Sequence, residues 1–275
     1  MGGILPTFDV NWISSHVVRI MTACGDCVYL VVGAKRAFLL DAGFGIGDLK
    51  AEVERASRGL PITLLLTHGH FDHIGGAGQF EDVRISQRDI SVARRDAPIG
   101  VRADFISYSY AEAIDKQTVG NLPFRETCVN GWTAIEDDEV FDAGGVHVRM
   151  ISVPGHTRGS LVPVVVEDRI AVFGDACGEN TLLIFAESTT VETYRSGLLR
   201  LKAHEDSWDV VVRNHGTHQS PKGILDRNIE LCTRVLRGED DCCPIQIMGK
   251  SACAASSERG LEMHGNVIYN PDRIF

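Results

Sequence analysis

No stretch of this 275-residue chain is apolar for long enough to cross a bilayer, so the sequence carries no expectation of a membrane partner. The segment Met1–Val10 lacks the basic start and apolar centre of a secretory leader, which leaves the cytoplasm as the expected compartment. Basic residues are also scarce. Lys and Arg number 27 against 37 Asp and Glu, a formal charge of −10. A phosphate backbone needs a basic footprint, so nucleic acid is not an expected partner. The one tight basic pair, Arg94-Arg95, reads as a solvated helix face. The eight cysteines are scattered and lack the framework of a small disulfide-stapled domain, as suits a reducing compartment. Cys24 and Cys27 have the spacing of a redox or zinc pair, but no second pair follows, and they read as structural thiols beside a turn. No linker, repeat array or low-complexity segment divides the chain. Its length and ordinary 44% hydrophobic content suit a single domain over residues 1–275.

What the chain does have is Thr67-His68-Gly69-His70-Phe71-Asp72-His73, directly after the apolar run Ile62–Leu66. Three imidazoles and a carboxylate follow a strand-like segment, with a glycine that lets the backbone turn. Neutral imidazole nitrogen and carboxylate oxygen are the donors that zinc and other borderline divalent metals prefer. Three more apolar runs end in a glycine-flanked donor. Val146–Val153 leads to Pro154-Gly155-His156-Thr157, Arg169–Phe173 to Gly174-Asp175, and Trp208–Val212 to Asn214-His215-Gly216. The candidate donors are thus His68, His70, Asp72, His73, His156, Asp175 and His215. His218 lies three residues past His215 and competes with it; His215 is preferred because it directly follows the strand. Cys177, two residues after Asp175, is read as a small buried filler or a pocket-lining thiol. His264 has no donor beside it and reads as structural, while Lys222, Lys250 and Arg259 form no cationic cluster.

The ordered motifs T-H-G-H-F-D-H, P-G-H-T, G-D and N-H-G resemble the metallo-β-lactamase superfamily, in the branch of glyoxalase II and the acyl-homoserine lactonases. The resemblance implies an α/β fold: a four-layer αββα sandwich of two mixed β-sheets flanked by helices. It also implies two zinc ions per chain, with iron or manganese as alternatives. His68, His70 and His156 would hold the first metal and Asp72, His73 and His215 the second, with Asp175 bridging. True zinc β-lactamases usually have cysteine at Asp175 and often arginine at His73, and the flavin-linked di-iron branch has glutamate at His70. The first two departures disfavour antibiotic hydrolysis, and the imidazole at His70 favours zinc and hydrolysis over oxygen chemistry.

The coarse pattern agrees. Val17–Met21, Val28–Val32 and Ala37–Leu40 read as consecutive strands. A helix follows over Asp48–Ser57, then the strand Val83–Ser86 and a helix over Gln87–Asp96. Asp41 is expected to hydrogen-bond behind a metal ligand. Leu161–Val166 and Arg169–Phe173 form a hairpin whose Pro163 suggests an edge strand. Helices are expected at about Val191–His204 and at Pro221–Arg237, the latter with Ser220 as N-cap. The tail strands Pro244–Met248 and Asn266–Tyr269 are expected to cover a sheet edge. Residues 97–132 break the alternation and are rich in aromatics. They read as a helical insertion near the active site, either a pocket wall or a packed satellite, and Tyr108 and Tyr110 are its candidate oxyanion donors.

The implied chemistry is hydrolysis of an ester, lactone or thioester of a small molecule, with a metal-bridging hydroxide as nucleophile and Asp72 orienting it. Phosphodiester hydrolysis on small nucleotides and mononuclear-iron oxidation of a thiol or persulfide are the alternatives the same donors allow.

Overall fold

The computed structural model describes residues 8–112, 114–258 and 265–275; Arg259 and His264 lie outside them. The chain divides into two compact units, residues 1–136 with 140–148, and residues 137–139 with 149–275.

The first unit is built on a seven-stranded sheet in chain order. Strands β1 (Asp9–Trp12), β2 (Val17–Met21), β3 (Cys27–Val32) and β4 (Ala37–Leu40) form an antiparallel meander. The direction then changes. Helix α1 (Leu49–Ser57) provides the crossover that parallel pairing requires, and β5 (Ile62–Leu65) lies parallel to β4. The side chain of Asp48 caps α1 by accepting from Ala51 N–H at 3.1 Å, and Arg58 ends it in a left-handed conformation. Helix α2 (Phe71–Ile74) is a single turn formed by the histidine motif itself. Strands β6 (Asp82–Ile85) and β7 (Thr133–Ala134) complete the parallel half. Strands β3 to β5 are buried almost throughout, which explains their unbroken apolar sequences. Their core holds Val18, Ile20, Leu30, Leu39, Leu64 and Ile85, each stabilised by roughly 1.5–3 kcal/mol on burial. β1 and β7 were not anticipated. β1 alternates polar and apolar residues over only four positions and is mostly exposed; its backbone pairing with β2 makes it a strand.

Residues 90–96 form α3 (Ile90–Asp96), preceded by a 3₁₀ turn over Gln87–Asp89. Helices α4 (Ile99–Ser109) and α5 (Lys116–Gly120) follow in the aromatic-rich segment. Phe105, Ile106, Tyr110, Val119 and Phe124 pack with Phe44, Ile46 and Phe71, the last a residue of the histidine motif. Arg102 fastens α4 here. It is fully buried, and its guanidinium donates to Phe44 O at 2.8 Å, Gly75 O at 3.0 Å and Arg125 O at 2.8 Å. Burial lowers its pKa to about 10, so it stays charged at neutral pH. Arg102→Met keeps apolar bulk but strands those carbonyls, and is expected to cost roughly 3 kcal/mol, read from the urea unfolding midpoint. An unchanged midpoint would show that water replaces the guanidinium at no cost.

A second sheet, of six strands, runs β14-β13-β11-β10-β9-β8. Its strands are β8 (Glu139–Asp142), β9 (His147–Ser152), β10 (Leu161–Val165), β11 (Ile170–Val172), β13 (Val210–Val212) and β14 (Gln219–Ser220). Between β11 and β13 come β12 (Thr181–Leu183) and helix α6 (Val191–Lys202), and after β14 comes α7 (Ile224–Arg237). α6 starts at its N-cap Thr190, whose side chain accepts from Thr193 N–H. It buries Tyr194, Leu198 and Leu201, spaced one turn apart, in a core that also holds Phe173 and Trp208.

Two expectations fail here. β10 is an interior strand, so Pro163 does not mark an edge. A proline removes a single donor, and Val164 and Val165 still pair with Ala171 and Ile170. Nor does Ser220 cap α7. It pairs with Val211 in β14, and the helix begins at Ile224 with Gly223 as N-cap, because strand pairing claims the residue that local capping rules assign to the helix. Gly238 ends α7 in the left-handed region, as expected. The tail does more than cover an edge. β15 (Cys243–Ile247), β16 (Lys250–Ala254) and β17 (Val267–Tyr269) join β12 in a separate four-stranded sheet, order β12-β17-β16-β15.

Candidate metal centre

In the first unit the donors cluster where β5 ends. Gly69 is required for close approach, since a Cβ there would lie 2.8 Å from Asp89 O and 2.9 Å from Ala93 N. The Gly69 N–H donates to Asp89 Oδ2 at 3.0 Å, which seats the loop against α3. His70 stands at the N-cap of α2, and Asp72 and His73 occupy its single turn. The His68 ring centroid is 4.8 Å from that of His70 and 4.0 Å from that of His73, and all three imidazoles are buried. His73 Nε2 is 3.7 Å from Asp72 Oδ2.

The fully buried Asp41 organises this cluster. It follows β4 with φ 65°, a left-handed backbone uncommon outside glycine but accessible to aspartate. Its Oδ1 accepts the Thr67 N–H at 2.8 Å, and its Oδ2 accepts the Thr67 hydroxyl at 2.9 Å and His73 Nδ1–H at 2.9 Å. Thr67 has spent its one proton on Asp41, so its Oγ1, 3.1 Å from His68 Nδ1, accepts from that ring. Both imidazoles therefore carry their proton on Nδ1 and present Nε2 as a lone pair.

In the second unit, His156 follows β9 in a turn where Gly155 packs on Tyr194; a Cβ on Gly155 would lie 2.2 Å from the tyrosine ring. His156 Nδ1 donates to Leu182 O at 2.9 Å, and its ring meets the edge of Phe185 with centroids 5.3 Å apart. The Ser188 hydroxyl donates to His156 O at 2.8 Å and holds its backbone. Asp175, just past β11, faces two imidazoles through different oxygens: His156 Nε2 is 3.4 Å from Oδ2, and His215 Nε2 is 3.6 Å from Oδ1. These donors line a pocket of about 260 Å³ together with Glu179, Asn180 and Arg213. Arg213 ties the His215 loop down by donating to Glu179 and to the Thr217 hydroxyl.

The remaining candidates sit elsewhere. His218 occupies the turn after His215 in a left-handed conformation, its backbone bonded to Arg213 and His215. Cys177 is fully buried in the core, and burial pushes its thiol up to about 12. Tyr108 is 70% exposed, and the Tyr110 hydroxyl is committed to Cys24 O at 3.0 Å. Sequence reasoning missed Thr67, Asp89 and Leu182 as supports and Arg102 as an anchor. Only Thr67, inside the motif, carried any local signal.

The family model of the metallo-beta-lactamase superfamily matches residues 27–203. The chain belongs to the metallo-β-lactamase superfamily. Among other members, an uncharacterized protein of Mycobacterium tuberculosis is 31% identical over 207 residues, covering 71% of this chain and 87% of that one. The acyl-coenzyme A thioesterase MBLAC2 of Homo sapiens is 24% identical over 183 residues, covering 61% of this chain and 63% of the relative. A solved metallo-beta-lactamase from Pontibacter korlensis superposes with a TM-score of 0.58 at 18% identity, covering 82% of this chain and 99% of that one. The α/β fold is thus the metallo-β-lactamase fold. Among the described residues no helix is long and apolar enough to cross a membrane.

Proposed function

We propose that this metallo-β-lactamase-superfamily chain is a metal-dependent hydrolase that cleaves a small-molecule acyl thioester. The observation that carries the reading is the pair of protonation locks, Asp41 and Thr67 on one set of imidazoles and Leu182 O on His156. A core histidine needs only to be satisfied. His73 and His156 have Nδ1 satisfied and Nε2 held beside a carboxylate oxygen, the arrangement of a histidine prepared as a ligand.

The donor chemistry fits two borderline divalent cations, zinc first, with iron or manganese also accommodated. His68, His70 and His156 would hold one and Asp72, His73 and His215 the other, with Asp175 shared. When bound, such ions polarise a carbonyl and lower the pKa of water to about 7. Asp72 accepts a hydrogen bond from the attacking water and aligns its lone pair on the acyl carbon. Asp41 and Thr67 keep the imidazoles from turning as charge develops. A thiolate leaving group, whose conjugate acid has a pKa of about 8.5, departs without a general acid. An alkoxide would need one, and the Tyr110 hydroxyl is already engaged with Cys24 O. The name of the human relative points to the same substrate class.

The test combines metal analysis of the purified chain with a substrate panel. About two zinc ions per chain and thiol release from acyl thioesters, with slower turnover of a lactone, a β-lactam and a bis-aryl phosphate, support the reading. One iron with oxygen uptake on a thiol would replace it, and a preference for the phosphodiester would redirect it to nucleotides.

A further inference from the structure

The cysteines are free thiols in this structure, and two of them touch. Cys242 lies in the loop between α7 and β15, and Cys253 lies in β16. Their sulfurs are 3.0 Å apart. The strand register explains why these two meet. Cys243 pairs with Ala254 and Pro244 with Cys253, and side chains along β16 alternate between the two faces of the sheet. Cys253 packs in the core of the second unit, while Ala252, Ala254 and Cys243 share the apolar cluster on the opposite face. One position before Cys243, alternation returns Cys242 to the face of Cys253.

The loop is fastened around this contact. Cys242 takes φ 42°, in the left-handed region that a non-glycine residue keeps only where its surroundings fix it. Its N–H donates to Asp240 Oδ2 at 3.2 Å, and the same oxygen accepts the hydroxyl of Tyr269, the β17 partner of Cys253, at 2.7 Å. Asp241 accepts from the Ser257 N–H and hydroxyl at 2.7 Å each and from Arg234 at 2.9 Å. Two thiolates sharing one zinc would stand about 3.8 Å apart, so the contact is too short for chelation. A covalent sulfur–sulfur bond is about 2.0 Å long, roughly 1 Å closer than the thiols already stand.

We infer that Cys242 and Cys253 are a thiol–disulfide modification site, at which exchange with a small-molecule disulfide closes a reversible intramolecular bond. Cys242 is exposed and Cys253 buried, which sets the order of attack. The Cys242 thiolate attacks one sulfur of the small disulfide, forms a mixed disulfide and releases one thiol. The Cys253 sulfur then attacks the Cys242 sulfur, its proton goes to the second departing thiolate, and the bond is complete. Two protein thiols are oxidised and one small disulfide is reduced to two thiols. Burial, with the Cys242 sulfur beside it, pushes the Cys253 thiol up to about 12, so it stays protonated and leaves the first step to Cys242. The closed bond ties the loop after α7 to β16, in the sheet that also contains β12.

The experiment equilibrates the full chain with mixtures of reduced and oxidised glutathione, traps it with acid and alkylates it in denaturant. Intact mass and non-reduced tryptic maps then read the result. The expected outcome is a loss of two hydrogens, a bond joining peptide 238–250 to peptide 251–259, and recovery of all thiols with dithiothreitol. Cys243→Ser should retain that bond and Cys242→Ser should abolish it. Half-closure in the folded chain should need at least about tenfold less oxidised glutathione than in the urea-unfolded chain, because the fold has already brought the loop ends together. A glutathione adduct that stays on Cys242 while Cys253 is alkylated would overturn the inference. So would equal glutathione dependence in urea, or a bond that survives Cys242→Ser.

Discussion

Asp175→Ala is expected to abolish thioester hydrolysis and to empty the chain of about one metal equivalent or more, while the unfolding midpoint of the metal-free protein barely moves. The carboxylate faces both His156 and His215, through separate oxygens at 3.4 and 3.6 Å. Alanine removes both contacts together. The side chain is 24% exposed, so its loss opens no sealed cavity, although it takes the carboxylate away from the buried His156 ring. The activity loss should reach roughly a thousandfold, the scale of losing one electrostatic stabiliser of the transition state, and more if the shared ligand is needed for both ions. His70→Ala should behave alike from the first unit, where His70 begins the turn that carries Asp72 and His73. Inductively coupled plasma mass spectrometry and thiol-release kinetics on the same preparations read both effects. Wild-type turnover in either variant would dismiss the assigned site.

The second large effect is expected from a residue that touches no metal. Asn replaces Asp41 with the same shape and tolerates the left-handed backbone there, so Asp41→Asn should fold. An amide keeps the acceptor oxygen for Thr67 N–H, but its NH2 then faces the Thr67 hydroxyl and His73 Nδ1 and cannot accept from either. His73 has to move its proton to Nε2, which removes the lone pair offered beside Asp72. Loss of such a support typically costs 10- to 100-fold in metal affinity. Zinc competition against a chelator measures the loss, and nitrogen-15 shifts of the histidine rings report the tautomer. Unchanged affinity with an Nδ1-protonated His73 would mean that Asp41 does not set the protonation state.

Much of this was readable in order along the chain. The strands that deliver the donors were legible because each is a short apolar run stopped by a glycine-flanked polar residue. The structure ends β5, β9, β11 and β13 at His68, His156, Asp175 and His215 to within a few residues. Asp41 was expected behind a ligand because Asp41-Ala42-Gly43 closes β4, and it proves to hold His73. Other features depended on pairings between distant segments. Pro163 is an edge signal by local rules, yet β10 has a neighbour on each side. Ser220-Pro221 reads as a helix start until β13 claims Ser220.

The sequence by itself therefore determined the donor types, their order, the family and the strand ends that present them, since each is written in a few adjacent residues. Only the tertiary structure decided which nitrogen His68, His73 and His156 offer, that a leucine carbonyl and a threonine hydroxyl do part of the fixing, and that the last strands build a sheet with β12. Those outcomes are set by hydrogen bonds and registers closing across 20 or more positions, such as Asp41 to His73 and Leu182 to Ile268. No local pattern encodes them, because the partner of a backbone or ring donor is chosen by where the whole chain packs.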